Sequence, residues 1–288
     1  MEVVNRLADS IDFIEQNLDK ELRHEDIAKI ACCSKFHFQR MFYMLTGSTL
    51  ADYIRKRRLT VAAQELASSD AKVIDVALKY GYNTPESFSK AFSKLHGMSP
   101  SQAREKGRTL KAFPRLSFQI QIKGAEDMNY KIVQKESFHI MGKAIQTNVS
   151  MEQNKVEIPA FWDELNRNGF TESLKPFAGP LGFLGVCMDF SEQADTFTYV
   201  IGVEKTTEDL PEGCIVKEVP ALTWAVFDAA GPVNPTVQAT WERIFSEWFA
   251  ATGYEHADVP ELETYPVDGN ILAEDHVTQI WIPIVKKR

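Results

Sequence analysis

Asp26-Ile-Ala-Lys-Ile-Ala31 and Asp75-Val-Ala-Leu-Lys-Tyr80 are two versions of one phrase, 49 residues apart. Each leads through a short polar turn into a second phrase: Ser34-Lys-Phe-His-Phe-Gln-Arg-Met-Phe42 in the first copy, ending as Phe88-Ser-Lys-Ala-Phe92 in the second. Past the turn the offset becomes 50, pairing Phe38 with Phe88, Arg40 with Lys90, Phe42 with Phe92 and Gly47 with Gly97, so the second turn carries one inserted residue. Ser34 is suited to cap the helix it precedes, because its hydroxyl can accept from an otherwise orphaned backbone amide. Two short helices around a tight turn read as a helix-turn-helix, and its repetition within one chain makes the signal specific. The four phenylalanines lie on the buried face of their helices, which marks them as core and not as a platform for stacking bases. His37 reads as a packing or surface histidine.

Working outward, Val4, Leu7, Ile11, Ile14 and Leu18 recur every three or four residues and predict an amphipathic helix from Val3 to Asn17. Between the copies, Leu50 to Leu66 reads as one helix with Tyr53, Leu59, Ala62, Ala63 and Leu66 as its apolar stripe. A helix of about 17 residues is roughly 25 Å long at the usual rise. It would hold two recognition helices near the ~34 Å repeat of the major groove, letting one chain read two successive groove segments of double-stranded DNA. Arg55-Lys-Arg-Arg58 is displayed all round a helical turn; a solvated charge run and a set of phosphate contacts both fit it.

Residues 4 to about 108 resemble the AraC/XylS-type DNA-binding domain. The likeness is carried by the Ser34–Phe42 phrase, Thr46-Gly47, Tyr53-Ile-Arg-Lys-Arg-Arg-Leu59, Ile74-Asp-Val-Ala77, Tyr80-Gly-Tyr82, Phe88–Phe92 and Gly97-Met-Ser-Pro100. The resemblance implies base-facing side chains on the first recognition helix at Lys35, Phe36, Gln39 and Arg40. Gln pairs bidentately with adenine and Arg with guanine in the major groove. On the second helix it implies Glu86, Ser87, Ser89 and Lys90, a shorter and partly acidic set. The first element is therefore expected to carry most sequence specificity, and the second position and phosphate contact.

Charge divides the chain in the same place. Residues 1–123 hold 20 Lys and Arg against 14 Asp and Glu, whereas residues 124–288 hold 12 against 26, for a net charge of −8. A basic half suits a polyanion, and the acidic half faces something else. No apolar run approaches the roughly 18–20 residues of a membrane span, and the first ten residues lack a signal-peptide pattern, so a cytoplasmic location with no membrane partner is expected. Cys32, Cys33, Cys187 and Cys214 form no C-x-x-C pair and no metal-ligand spacing, as for reduced thiols. No cofactor, metal or catalytic motif is found.

The expected organisation is an all-α double helix-turn-helix domain over 1–109, a linker over 110–127 and an α+β domain over 128–288. A short helix is expected from Ser101 to Lys106. Within the linker, Leu116-Ser-Phe-Gln-Ile-Gln-Ile-Lys123 alternates and reads as a strand. The acidic half then alternates strands and helices in an order that occurs twice. Extended segments at 130–136 and 138–145 precede a helix at 158–167 and strands at 182–188 and 197–203. Extended segments at 215–219 and 222–228 precede a helix at 235–251 and strands at 262–265 and 277–284. Two pseudo-symmetric βαββ units enclosing a cleft are predicted.

Glu263-Thr-Tyr-Pro266, Gln279-Ile-Trp-Ile-Pro-Ile284 and this duplicated order resemble the GyrI-like effector-binding domain. The resemblance implies that the acid of the E-x-Y strand sits in an aromatic cup and pairs with cationic, often hydrophobic ligands. Here that acid is Glu263, with Tyr265 on the same strand face and Trp281 at the aromatic position of the last strand. Phe183, Tyr199 and Trp224, with Trp162, are candidates for the wall. Gln279 stands where many relatives carry an acid. A carboxylate among aromatic faces offers a cation both an ion pair and cation–π contact. The expected function is sequence-specific, DNA-binding transcription regulation modulated by such a ligand, with RNA polymerase as a further partner. Two alternatives stand beside it: hydrolysis of a small molecule in the acidic domain, although no second acid obviously pairs with Glu263, and constitutive DNA binding with that domain docking a protein.

Overall fold

A computed structural model describes residues 2–105, 107–117, 127–148, 153–191, 196–257 and 260–287, with no side-chain description for residues 2–4 and Lys155. As far as they are described, the segments 1–35 and 48–122 form one compact unit, and 36–47 with 123–288 form another. Most of the linker strand expected at 116–123 lies outside the described residues; Leu116 and Ser117 have no regular structure.

The first unit is helical. Helix α1 (Glu2–Gln16) buries Leu7, Ile11 and Ile14, and α2 (His24–Ile30) buries Ile27 and Ala28. The next helix in the chain, α3 (Lys35–Thr46), belongs almost wholly to the other unit. The connecting helix α4 (Leu50–Ser68) starts at Thr49, whose hydroxyl accepts from the Asp52 amide at 3.1 Å, and it buries the expected stripe. Helices α5 (Val73–Lys79) and α6 (Pro85–His96) complete the second helix-turn-helix. Thr84 caps α6 through the Ser87 amide at 3.2 Å, Pro85 supplies its first turn, and Gly97 ends it at φ +76°, a left-handed conformation that favours glycine. Leu59, Ala62, Ala63 and Leu66 of α4 pack with Val76, Ala77, Tyr80, Phe88 and Phe92 in one apolar core. Where a helix is expected at 101–106, the described residues form a 3₁₀ turn, Gln102–Arg104.

The basic run of α4 is tied down within this unit. Arg57 pairs with Glu15 at 2.8 Å, and Arg58 donates to the carbonyls of Leu18 and Lys20 at 2.9 and 2.6 Å. Arg55 and Lys56 both pair with Asp52 on their own helix.

The second unit is built on one antiparallel sheet. Strands β1 (Tyr130–Lys135) and β2 (Phe138–Asn148) lead to helices α7 (Asn154–Arg167) and α8 (Phe170–Leu174). Strands β3 (Phe183–Ser191), β4 (Thr196–Glu204), β5 (Ile215–Val219) and β6 (Leu222–Ala230) follow. Helix α9 (Val233–Arg243) runs through a wider π turn, Ile244–Trp248, into a last turn α10 (Phe249–Ala251). Strands β7 (Tyr254–His256), β8 (Glu261–Tyr265) and β9 (Val277–Lys286) end the chain.

The strand order is β1-β6-β9-β8-β3-β4-β2-β5, with β7 added on β9. Exchanging β1 with β5, β2 with β6, β3 with β8 and β4 with β9 maps that order onto itself. The duplicated pattern is therefore a pseudo-twofold whose axis passes between β3 and β8, and the E-x-Y strand lies at the centre of the sheet. Each repeat's first strand pairs with the second strand of the other repeat, β1 on β6 and β5 on β2.

Side chains alternate between two buried faces, so this sheet is apolar on both sides. One face carries Val186, Val200, Trp224, Val226, Leu262 and Trp281. The other carries Phe183, Phe197, Tyr199, Ile201 and Val203, covered by Phe161 and Leu165 of α7 and Phe170 and Leu174 of α8.

Candidate functional site: a two-carboxylate aromatic cup

The site lies on the helix-covered face of the central strands. Register places Glu263 opposite Gly185 and Tyr265 opposite Phe183, with Glu261 opposite Cys187 and Cys187 opposite Tyr199. A period of two then points Glu261, Glu263, Tyr265, Phe183, Cys187 and Tyr199 to one side. Gly185 makes this crowding possible: a Cβ there would stand 2.3 Å from the Tyr199 hydroxyl, so the tyrosine ring lies over the glycine.

Glu263 is held at both oxygens. Trp241 of α9 donates from Nε1 to Oε1 at 2.8 Å, and Tyr265 donates its hydroxyl to Oε2 at 2.6 Å. Trp162 of α7 closes the other side, donating to the Tyr199 hydroxyl at 3.0 Å and meeting the Tyr265 ring edge-on at 5.3 Å. Burial, then the nearby Glu263 charge, push both tyrosine hydroxyls well above their ordinary pKa. They stay protonated, and Tyr265 remains a hydrogen-bond donor to the carboxylate. Burial also pushes the Cys187 thiol up to about 12, so it stands there as a neutral, soft wall.

Glu261, two residues earlier, is a second acid in the same cup and is almost fully buried. Its Oε1 is 2.9 Å from His256 Nε2, and its Oε2 is 2.5 Å from Arg40 Nη1. Arg40 comes from α3, whose residues 36–47 are part of this unit. The guanidinium carbon lies 4.1 Å from the centre of the Trp241 ring, and Nη1 is 4.0 Å from Cys187 Sγ. Burial alone would lower the Arg40 pKa, but the nearby carboxylates, Glu261 foremost and then Glu263, overcome it and the net shift is upward. For Glu261 burial raises and Arg40 and His256 lower, with a net downward shift. Both groups are charged, and the cup holds a cation.

The rest of α3 packs beside it. The Phe36 ring lies 3.6 Å from that of Phe190 and 5.7 Å from that of Phe197. The imidazole of His37 stacks on that of His256 at 4.3 Å. Gln238 of α9 donates to the Met44 sulfur at 3.0 Å.

The structure brings together four of the six residues expected at the ligand site: Glu263, Tyr265, Tyr199 and Phe183. Trp281 and Trp224 are not among them. Trp281 pairs with Leu262, so it takes the opposite face from Glu263, where it meets Trp224 edge-on at 6.1 Å. Gln279, on the same strand face as Trp281, donates to Asp228 at 2.8 Å, away from the cup. Sequence reasoning missed Glu261 and Trp241. The signal for Glu261 was present, since Glu261-Leu-Glu-Thr-Tyr265 alternates acid, acid and tyrosine on one face. Trp241 reads from sequence only as part of an apolar helix stripe.

The expected DNA-facing residues divide. On α6, Glu86, Ser87 and Lys90 are exposed and Ser89 is half-buried. On the first recognition helix, Lys35, Phe36 and Gln39 are buried, and the Arg40 side chain retains 15% of its exposure. Lys35 pairs with Glu25 at 2.9 Å. In this state that helix offers solvent little of its expected reading surface.

Comparison with known proteins follows the same division. Residues 128–285 match the family of GyrI-like small molecule binding domains, and residues 27–106 match a helix-turn-helix domain family. The HTH-type transcriptional activator AarP of Providencia stuartii is 44% identical over 92 residues, 32% of this chain and 68% of AarP. The regulatory protein SoxS of Escherichia coli K12 is 37% identical over 100 residues, 35% of this chain and 94% of SoxS. A solved structure of SAV2435 bound to tetraphenylphosphonium aligns with 55% of this chain and 94% of its own, at 23% identity and a TM-score of 0.49.

Proposed function

The chain belongs to the AraC-type helix-turn-helix regulators that carry a GyrI-like small molecule binding domain, and from that premise we propose that it reads two successive major-groove segments under control of a small aromatic cation. Phe36, Gln39 and Arg40 of α3 make the principal base contacts, helped by Lys35. Glu86, Ser87, Ser89 and Lys90 of α6 supply the second contact, mostly to phosphate. The effector enters the cup against Glu263, its charge met by that carboxylate and by Glu261, its rings by Trp162, Tyr199, Tyr265 and Trp241.

One observation carries this reading. Glu263 is fixed at the centre of the sheet by two aromatic donors, Trp241 and Tyr265, which give it an aromatic surround. A half-buried carboxylate in such a surround is a receptor for a cation with apolar bulk. The same two hydrogen bonds argue for binding over turnover, because both oxygens are engaged and neither is directed at a water as a general base would be. RNA polymerase is the partner through which such a regulator acts. The test is an anisotropy titration of the full chain on a duplex selected from a random-sequence pool, with and without aromatic cations and their neutral isosteres. Operator affinity should respond to the cations alone. A selected duplex bound equally tightly in every case would make the protein a constitutive DNA binder, and absence of any selected duplex would defeat the regulator reading.

A further inference from the structure

Resting on the cation-cup reading above, we infer that Arg40 is the cup's built-in ligand, and that the effector is a planar, N–H-bearing cation of the amidinium or guanidinium class that displaces it. The first recognition helix is thereby held by the same pocket that senses the effector.

The geometry of Arg40 is that of a tethered ligand. Its guanidinium carbon lies over the Trp241 ring, 4.1 Å from the ring centre, and Trp241 is the residue that also donates to Glu263. Its Nη1 meets the buried Glu261 carboxylate at 2.5 Å. A planar head fits the indole face, and N–H donors fit Glu261, whose second oxygen already belongs to His256. A quaternary cation has no N–H to offer Glu261 Oε2, a buried oxygen that Arg40 approaches as an ion pair but leaves without an aligned hydrogen bond. The pocket's own occupant thus states the ligand chemistry.

Arg40 is also an imperfect occupant. Its Nε is buried with no acceptor among the described residues. A buried donor left unpaired weakens the docked state relative to a free ligand able to satisfy all its donors. Docking also buries Phe36 and Gln39, so those side chains cannot touch bases while Arg40 is in the cup. Effector and DNA then select the same released form of α3, and by linkage each raises the affinity of the other by an equal factor.

The probe is p-aminobenzamidine, an aromatic amidinium whose fluorescence rises in apolar surroundings, titrated into the full chain. Removing the internal competitor should tighten its binding: Arg40→Ala should bind at least about tenfold more strongly than wild type, since apparent affinity scales with the fraction of open cup. Glu263→Gln should weaken binding about 10- to 100-fold in either background. Equal or weaker binding by Arg40→Ala would overturn the inference while leaving the cup a cation site. Absence of binding by both wild type and Arg40→Ala would instead defeat the cation-cup reading itself. A second measurement needs no variant: saturating probe should raise wild-type affinity for the selected duplex at least about fivefold. Unchanged or reduced affinity would overturn the inference.

Discussion

Replacing Gly185 by alanine adds one methyl at the point where the sheet leaves room for the Tyr199 ring. The new Cβ would lie 2.3 Å from the Tyr199 hydroxyl and 3.1 Å from the carbon that bears it. Backbone conformation is no obstacle, and in a permissive strand site Gly→Ala would gain about 0.4–1 kcal/mol from the unfolded chain. Here the ring must move instead. Overpacking of this kind costs about 1–3 kcal/mol, and loss of the Trp162–Tyr199 hydrogen bond adds about 1 kcal/mol or more. The net expectation is a loss of about 2–3 kcal/mol, which for a unit of this size lowers Tm by roughly 5–10 °C. Tyr199→Phe removes the clashing oxygen and should alone cost about 1–2 kcal/mol, because the Trp162 indole N–H loses its acceptor. The double variant should be more stable than the two single losses predict by about 1 kcal/mol or more, since the closest contact is gone. Differential scanning calorimetry of the four proteins measures the cycle. Additive losses, or a Gly185→Ala protein that melts like wild type, would refute the packing described for the cup.

The remaining predictions concern the cup and the reader. Glu263→Gln keeps the shape of the side chain and removes its charge, so aromatic cations should bind about 10- to 100-fold more weakly, by ~1.5–3 kcal/mol; calorimetric titration showing unchanged affinity would place the cation elsewhere. Acid should loosen the docked α3. His37 is held well below the ordinary histidine range, first by burial and then by the neighbouring His256 and Arg40, and Phe245 and Phe249 also face it. Its folded pKa lies below the unfolded one, so the stability it contributes is complete above roughly pH 6.5 and is lost as pH falls below that value. Glu261, also depressed, has the same sign at lower pH. Melting temperature should therefore fall from about pH 8 to about pH 5.5, less so in His37→Phe; a flat profile would contradict the burial of His37. Lys90→Ala on α6 should reduce the salt slope of DNA binding by about 1 without changing base preference; an altered consensus would give α6 a direct reading role.

Much of this architecture is legible in the chain because it is repeated. The aligned phenylalanines announce the duplicated helix-turn-helix, and the second occurrence of strands around a helix announces the pseudo-twofold sheet. The E-x-Y strand could be found, and alternation along it correctly joins Tyr265 to Glu263. What period two within a strand does not give is register to the next strand. Trp281 was expected beside Glu263, but Leu262 is its partner, and that one-residue difference moves the indole to the other face. Helix α9 begins at Val233 and passes through a π turn, details with no periodic signal. Least legible is the place of α3. Gln39 and Arg40 look like a polar, base-reading surface, and only the fold reveals that Arg40 has a buried carboxylate and an indole as partners. The acid that receives it, Glu261, stands two residues before the Glu-x-Tyr phrase and reads by itself as an ordinary strand acid.

DNA sequence should be recognised by this chain through its first recognition helix. Selection of duplexes from a random pool by the full chain, run in parallel with Arg40→Ala and with p-aminobenzamidine present to free α3, tests it most directly. An enriched site of about two helical turns is expected, with Arg40→Ala relaxing preference at one base position by about 1–3 kcal/mol. Sequence-blind binding, or the same consensus from both proteins, would contradict it.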